Sequence, residues 1–367
     1  MALNMKRSIL TTGLTAMLAV SAHAQTNRFL PRHLAVLRAG DGVMDLRLRQ
    51  APVFVDQFDP AVTNDVPSLS LRIPTNGPDS FFFNGHAATE GILTRSADHK
   101  LLAFAGYGGA NLLQQKGTPS LLDLKRGFCT VDATGAIHTF LYRAVSTDEK
   151  VNPRGIATDG TNNFWGCGNA RGTFYCNPST TPQPVAFEAL PNSRAVKIIN
   201  NTLYAAINTA DANASDQAPG IYSFGSDALP RKAESAPSLV IRVGSPYAKT
   251  VAFDIDPAGS TAYVADVAAG VLKYVKTQGQ WKLAGAFAIP QNIPKELNNF
   301  AGCFGLAVDF SASAPVIYAT TTEGYGGSVN SNRVVRIVDQ GSAPLISTIA
   351  QSASTNVAYR GIDFTPE

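Results

Sequence analysis

Short runs in which apolar and polar residues alternate, each closed by Gly, Asp or Ser, recur from residue 33 to the C-terminus. Alternation with a period of two marks strands buried on one face. The runs come in pairs: Glu90–Ser96 with Leu101–Gly106, Arg154–Asp159 with Asn163–Gly168, and Arg194–Ile199 with Thr202–Ile207. Two more follow, Lys249–Asp254 with Thr261–Asp266 and Phe304–Asp309 with Pro315–Thr320. Arg360–Thr365 starts a sixth pair that the chain does not complete. Helical spacing is nearly absent; only the stretch around Leu112–Leu124 carries it.

Behind the pairs lie further strand-like runs, such as Gly127–Asp132 with Ala136–Tyr142, or Gly270–Val275 with Trp281–Phe287. Four short antiparallel strands per unit, repeating at roughly 55 residues, predict an all-β fold, a β-propeller of four-stranded blades. Three N-terminal runs, His33–Arg38, Pro52–Phe58 and Leu69–Ile73, lack an inner strand, and the orphan Gly361–Thr365 supplies one. Both chain ends then share a blade, which removes the exposed edges of an open sheet. Six blades fit best. Seven would need a blade merged into the long first spacing, and a pair of β-sandwiches is the rival architecture.

Residues 1–24 have the layout of a signal peptide: Lys6 and Arg7, an apolar stretch from Ile9 to Val20, and Ala22-His23-Ala24 before Gln25. The expectation is one propeller domain over 25–367, secreted or periplasmic, with no membrane span and monomeric. Of the 30 Lys and Arg residues two lie in the leader, so against 27 Asp and Glu the mature chain has a net charge of about +1. That balance argues against a nucleic-acid partner. Charged residues make up 16% of a chain that is 45% hydrophobic, a composition that collapses rather than staying disordered. Four cysteines in an exported chain permit two disulfides, and Cys167 with Cys176, at strand-like ends around a Gly/Asn/Arg turn, is the favoured pair. Cys129 and Cys303 are left paired or free. A four-cysteine zinc site would need two close pairs, and there is one.

In a propeller the residues just before each first strand sit at the mouth of the central channel, where loops of several blades converge on one concavity. The repeat puts Glu90, Arg154, Arg194, Lys249, Phe304 and Arg360 there. Four of these six are cationic, so a ring of them would favour a carboxylate, sulfate or phosphate, with Glu90 orienting an Arg or acting as acid or base. The plainer alternative is that the cations bond strand-end carbonyls. Tyr107 and Tyr325 each lie in a Gly-Tyr-Gly-Gly segment and could stack on a sugar ring or pack on a blade. His86 and Tyr107 are the candidates for a base. No metal-binding histidine spacing, nucleophile elbow or phosphate-binding Gly-Lys-Ser/Thr loop is present, Asp254–Ser260 lacks the later ligands of a calcium loop, and no cofactor is expected.

Arg38–Gly42, Thr89–Asp98 and Ala105–Gly108 together resemble a module of uncharacterised exported bacterial proteins, and the blade pattern resembles NHL-type and gluconolactonase-like propellers. The second resemblance implies the propeller fold. Gluconolactonase-like enzymes hold a metal with acidic and Asn residues near the axis; no such set matches here residue by residue. Two functions follow as expectations: a propeller that binds an extracellular anionic glycan or protein at the channel mouth without assigned catalysis, or a polysaccharide lyase, hydrolase or lactonase using the same face. A redox propeller is disfavoured by two tryptophans and no haem-attachment motif.

Overall fold

The computed structural model describes residues 28–367 apart from 48–49, 88, 109–123, 143–151, 170–171, 188, 209–217, 226–227, 233–235, 245, 248, 291–301, 324–331, 342 and 353–354. The leader, Tyr325 and all but Leu124 of the one helix candidate therefore lie outside the described residues.

Within them the chain is all β. First come β1 (Leu34–Ala39), β2 (Ala51–Phe58), β3 (Leu69–Arg72) and β4 (Phe81–Phe83), then β5 (Leu93–Arg95), β6 (Leu101–Gly108), β7 (Lys125–Asp132) and β8 (Ile137–Tyr142). Next are β9 (Pro153–Thr158), β10 (Phe164–Gly168), β11 (Thr173–Asn177) and β12 (Thr181–Ala186), followed by β13 (Ser193–Ile199), β14 (Thr202–Ile207), β15 (Gly220–Phe224) and β16 (Ser238–Arg242). The chain continues through β17 (Thr250–Ile255), β18 (Thr261–Asp266), β19 (Gly270–Thr277) and β20 (Gln280–Phe287). It ends with β21 (Cys303–Asp309), β22 (Val316–Thr321), β23 (Arg333–Val338), β24 (Leu345–Gln351) and β25 (Ala358–Phe364).

Strands β9–β12, β13–β16, β17–β20 and β21–β24 each form a four-stranded antiparallel sheet, a blade. The fifth sheet contains β25-β1-β2-β3 and β5-β6-β7-β8, joined by β4, which pairs with both β2 and β6. The fold is a β-propeller. Leu34 stands opposite Phe364, so the two ends of the described chain share a sheet as the orphan strand required. Strands β5, β9, β13, β17, β21 and β25 follow one another in contact, and β25 returns to β5.

Burial falls from axis to rim, because inner strands are covered by neighbouring sheets on both faces. β9 is buried throughout, whereas no residue of β12 is fully buried and half are exposed. Several hairpins follow from local chemistry. Asn200-Asn201 and Gln278-Gly279 both have positive φ at two successive residues between paired strands, the type I′ geometry that suits strand twist. Elsewhere the recurring Asp closes the turn, as where Asp132 Oδ1 accepts from the Thr134 and Ala136 amides.

Glycine follows four of the six strand-start positions, at Gly91, Gly155, Gly305 and Gly361, and two of these show a steric reason. A Cβ on Gly361 would lie 2.2 Å from the Leu93 nitrogen, and one on Gly305 2.6 Å from the Arg360 oxygen. Innermost strands thus touch backbone to backbone, and Gly361 N donates to Gly91 O at 2.7 Å.

Candidate functional site

Five innermost strands carry a β-bulge near their start: at Arg154 in β9, Arg194 in β13, Val251 in β17, between Cys303 and Leu306 in β21, and between Tyr359 and Ile362 in β25. A bulge puts two residues opposite one and re-aims the extra side chain. Arg154, Arg194, Phe304 and Arg360 are the residues so placed. In β17 the equivalent residue is Val251, so Lys249 lies two residues upstream of the ring and is exposed. The repeat pattern missed this shift because Lys249-Thr250 substitutes for the usual Arg-Gly step.

The centre of the cluster is Glu90, fully buried. Tyr107 Oη donates to its Oε1 at 2.7 Å and the Asn84 amide to its Oε2 at 3.1 Å. Burial pushes the Glu90 carboxyl up to about 7, against the opposing pull of those two hydrogen bonds and of the Arg360 and Arg154 charges. Tyr107 is buried too, and burial together with the neighbouring carboxylate drives its phenol well above the ordinary range. It is a donor at neutral pH, not a base. A second contact, 3.2 Å, joins its hydroxyl to Asn152 Oδ1.

The arginines direct much of their donor fork at strand-end carbonyls. Arg360 Nη2 donates to Gly85 O at 3.1 Å, and its Nη1 to Ala87 O and, at 3.4 Å, Glu90 O. Arg154 Nη1 donates to Asn192 Oδ1 at 2.7 Å and Ser193 O at 3.2 Å. Arg194 is half-buried, and its charge and that of Arg154 both reach Cys167. Phe304 is a core residue. His86 is exposed beside this cluster, its amide donating to Asn84 Oδ1 at 3.2 Å.

The Cys167–Cys176 disulfide is corrected. All four cysteines are free and buried. In the β10–β11 register Cys167 faces Thr173 and Cys176 faces Phe164, so the two are three positions out of step. An odd offset puts their side chains on opposite sheet faces, and they pack in different core clusters. Burial pushes both thiols up to about 12, which rules out a thiolate nucleophile at neutral pH.

Two parts of the site were not read from the sequence. Arg126 is opposite Tyr107 in the β6–β7 register, with its guanidinium 5.7 Å from that ring's centre. Arg333 and Glu323 form a buried fork at 3.0 and 2.8 Å at the adjoining ends of β23 and β22. Cross-strand register, which needs the assembled blade, is the signal for the first.

No family model matches the chain, and no curated protein matches it in sequence. Similar solved structures include a putative 6-phosphogluconolactonase from Bacteroides fragilis NCTC 9343, with 12% identity, TM-score 0.46 and coverage of 90% of this chain and 98% of that one. Another, from Bacteroides uniformis ATCC 8492, has 10% identity, TM-score 0.46 and coverage of 91% and 100%. The periplasmic gluconolactonase PpgL of Pseudomonas aeruginosa has 12% identity, TM-score 0.43 and coverage of 87% and 83%. Likeness this low transfers no activity and no site residue.

Proposed function

We propose that this chain is an exported, six-bladed β-propeller whose mature form, residues 25–367, binds a carboxylate-bearing saccharide at the strand-start mouth. One observation carries the reading: the Arg126, Arg154 and Arg360 charges all bear on a single buried Glu90–Tyr107 pair. Guanidinium groups recognise planar carboxylates bidentately, and a concave, water-poor setting strengthens the attraction. Glu90 is the regulator in this arrangement. Protonated, it leaves the cationic field intact; ionised, it opposes an incoming anion. Arg194, half-buried, is the first contact for the ligand.

A second reading makes the same mouth hydrolytic, on a lactone or a polysaccharide. The carboxyl pushed up to about 7 favours it, since an acid–base catalyst works best when its pKa lies near the working pH. The test exposes the purified protein to charged and neutral polysaccharides and to a sugar lactone, following retention, ultraviolet absorbance of unsaturated product and acid release together. Salt-sensitive retention of acidic polymers without product supports binding. Acid release abolished in Glu90→Gln supports the hydrolase. No retention and no product from any substrate would refute both.

A further inference from the structure

Lys197, Asp254 and Asp363 occupy one structural position, three residues after the strand-start residue of β13, β17 and β25. In β9 and β21 that position holds Ala157 and Ala307. Lys197 Nζ lies 2.8 Å from Asp254 Oδ2 on the neighbouring strand and 3.7 Å from Asp363 Oδ2. β13 and β25 are separated in the ring by β17 and β21, so the second contact spans the channel. Side-chain exposures of 16, 14 and 5% keep the three groups largely out of water.

This triad forms the floor of a cavity of about 1090 Å³ that opens at the end of the channel opposite Glu90. Its walls include the rings of Phe310, Tyr318 and Phe364. A buried ion group costs desolvation energy that the two alanines at equivalent positions avoid, so its retention calls for a use. The charges are unequal, one ammonium for two carboxylates, and the whole lining has five carboxylates against three Lys and Arg side chains. Each aspartate also has acceptor capacity beyond the donors that reach it, which are Lys197 Nζ and the Ile255 amide for Asp254, and the Phe364 and Arg95 amides for Asp363. Burial and the nearby Asp363 charge hold the Asp254 carboxyl above its ordinary range, as expected where negative charge is incompletely offset. Aromatic walls suit an organic cation.

We propose that this far cavity is a second binding site, for a small organic cation with a primary ammonium group, which Asp254 and Asp363 accept beside Lys197. The site does not depend on the ligand at the strand-start mouth.

Isothermal titration calorimetry with putrescine tests it, with glucose and glucuronate as neutral and anionic probes. Expected are saturable putrescine heat, at least tenfold weaker binding in Asp254→Asn and Asp363→Asn, and no heat from glucose or glucuronate. Ser311→Arg, at an exposed cavity residue, adds repulsive charge without touching the core and should weaken putrescine binding in a folded protein, even if the aspartate variants misfold. Absence of putrescine heat up to about 10 mM, far above a millimolar Kd, overturns the proposal. So does putrescine binding that all three variants retain, or a preference for glucuronate.

Discussion

Tyr107 donates a 2.7 Å hydrogen bond to Glu90 inside the protein, linking the second strand of one sheet to the residue just ahead of its innermost strand. Because the carboxyl is fully buried, the proton it holds near pH 7 is coupled to folding. The folded state binds that proton more tightly than the unfolded chain, whose glutamate titrates near 4.5. The stability associated with it is therefore fully present below about 4.5 and is lost as pH rises through about 7. The loss is about 3 kcal/mol. Denaturant unfolding at pH 5 and pH 8 should show it in the parent and not in Glu90→Gln; equal slopes in the two proteins would refute the assignment.

Arg360 gathers three carbonyls of the segment before β5. Arg360→Met leaves buried acceptors without donors and should cost about 3 kcal/mol. Arg360→Lys should recover little of this, since a single ammonium lacks the planar fork. Thermal unfolding of both variants checks it, and a fully stable lysine variant would contradict the geometry.

The four thiols give a chemical prediction. Thiol titration without reductant should find four free groups in denaturant and almost none in the native protein, and reductant should leave the melting temperature unchanged. Two groups in denaturant would mean that a disulfide forms.

At Gly361 even one methyl group meets backbone. Gly361→Ala should destabilise by about 3 kcal/mol or prevent folding, because the clash is with the Leu93 nitrogen of a neighbouring innermost strand. Gly279→Ala, whose Cβ would meet nothing within 4 Å, is the control: it bears only the cost of a positive φ, about 1 kcal/mol.

Much of this fold is legible in the sequence because period-two alternation and turn residues are local signals. The union of Gly361–Thr365 with the N-terminal runs followed from counting strands, and the Leu34–Phe364 register agrees. β4 is not legible there: Phe81–Phe83 is three residues with no alternation, and only its partners β2 and β6 define it. Arg154, Arg194 and Arg360 were found because each precedes a small residue at a fixed repeat position. The displacement of Lys249 by Val251 was hidden, since a bulge is a property of two paired strands. The cysteine error has the same root: spacing gives proximity along a hairpin, while register decides which face each thiol takes.

The most direct measurement is the affinity of the protein for a galacturonate oligomer between pH 5.5 and 8.5, in the parent, Glu90→Gln and His86→Ala. Glu90 lies in the field of Arg126, Arg154 and Arg360 beside Tyr107, and His86→Ala removes the exposed imidazole next to them. The account predicts binding that strengthens as pH falls through about 7 in the parent and in His86→Ala, and a flat, tight profile in Glu90→Gln. No binding at any pH, or the parent's slope persisting in Glu90→Gln, would contradict it.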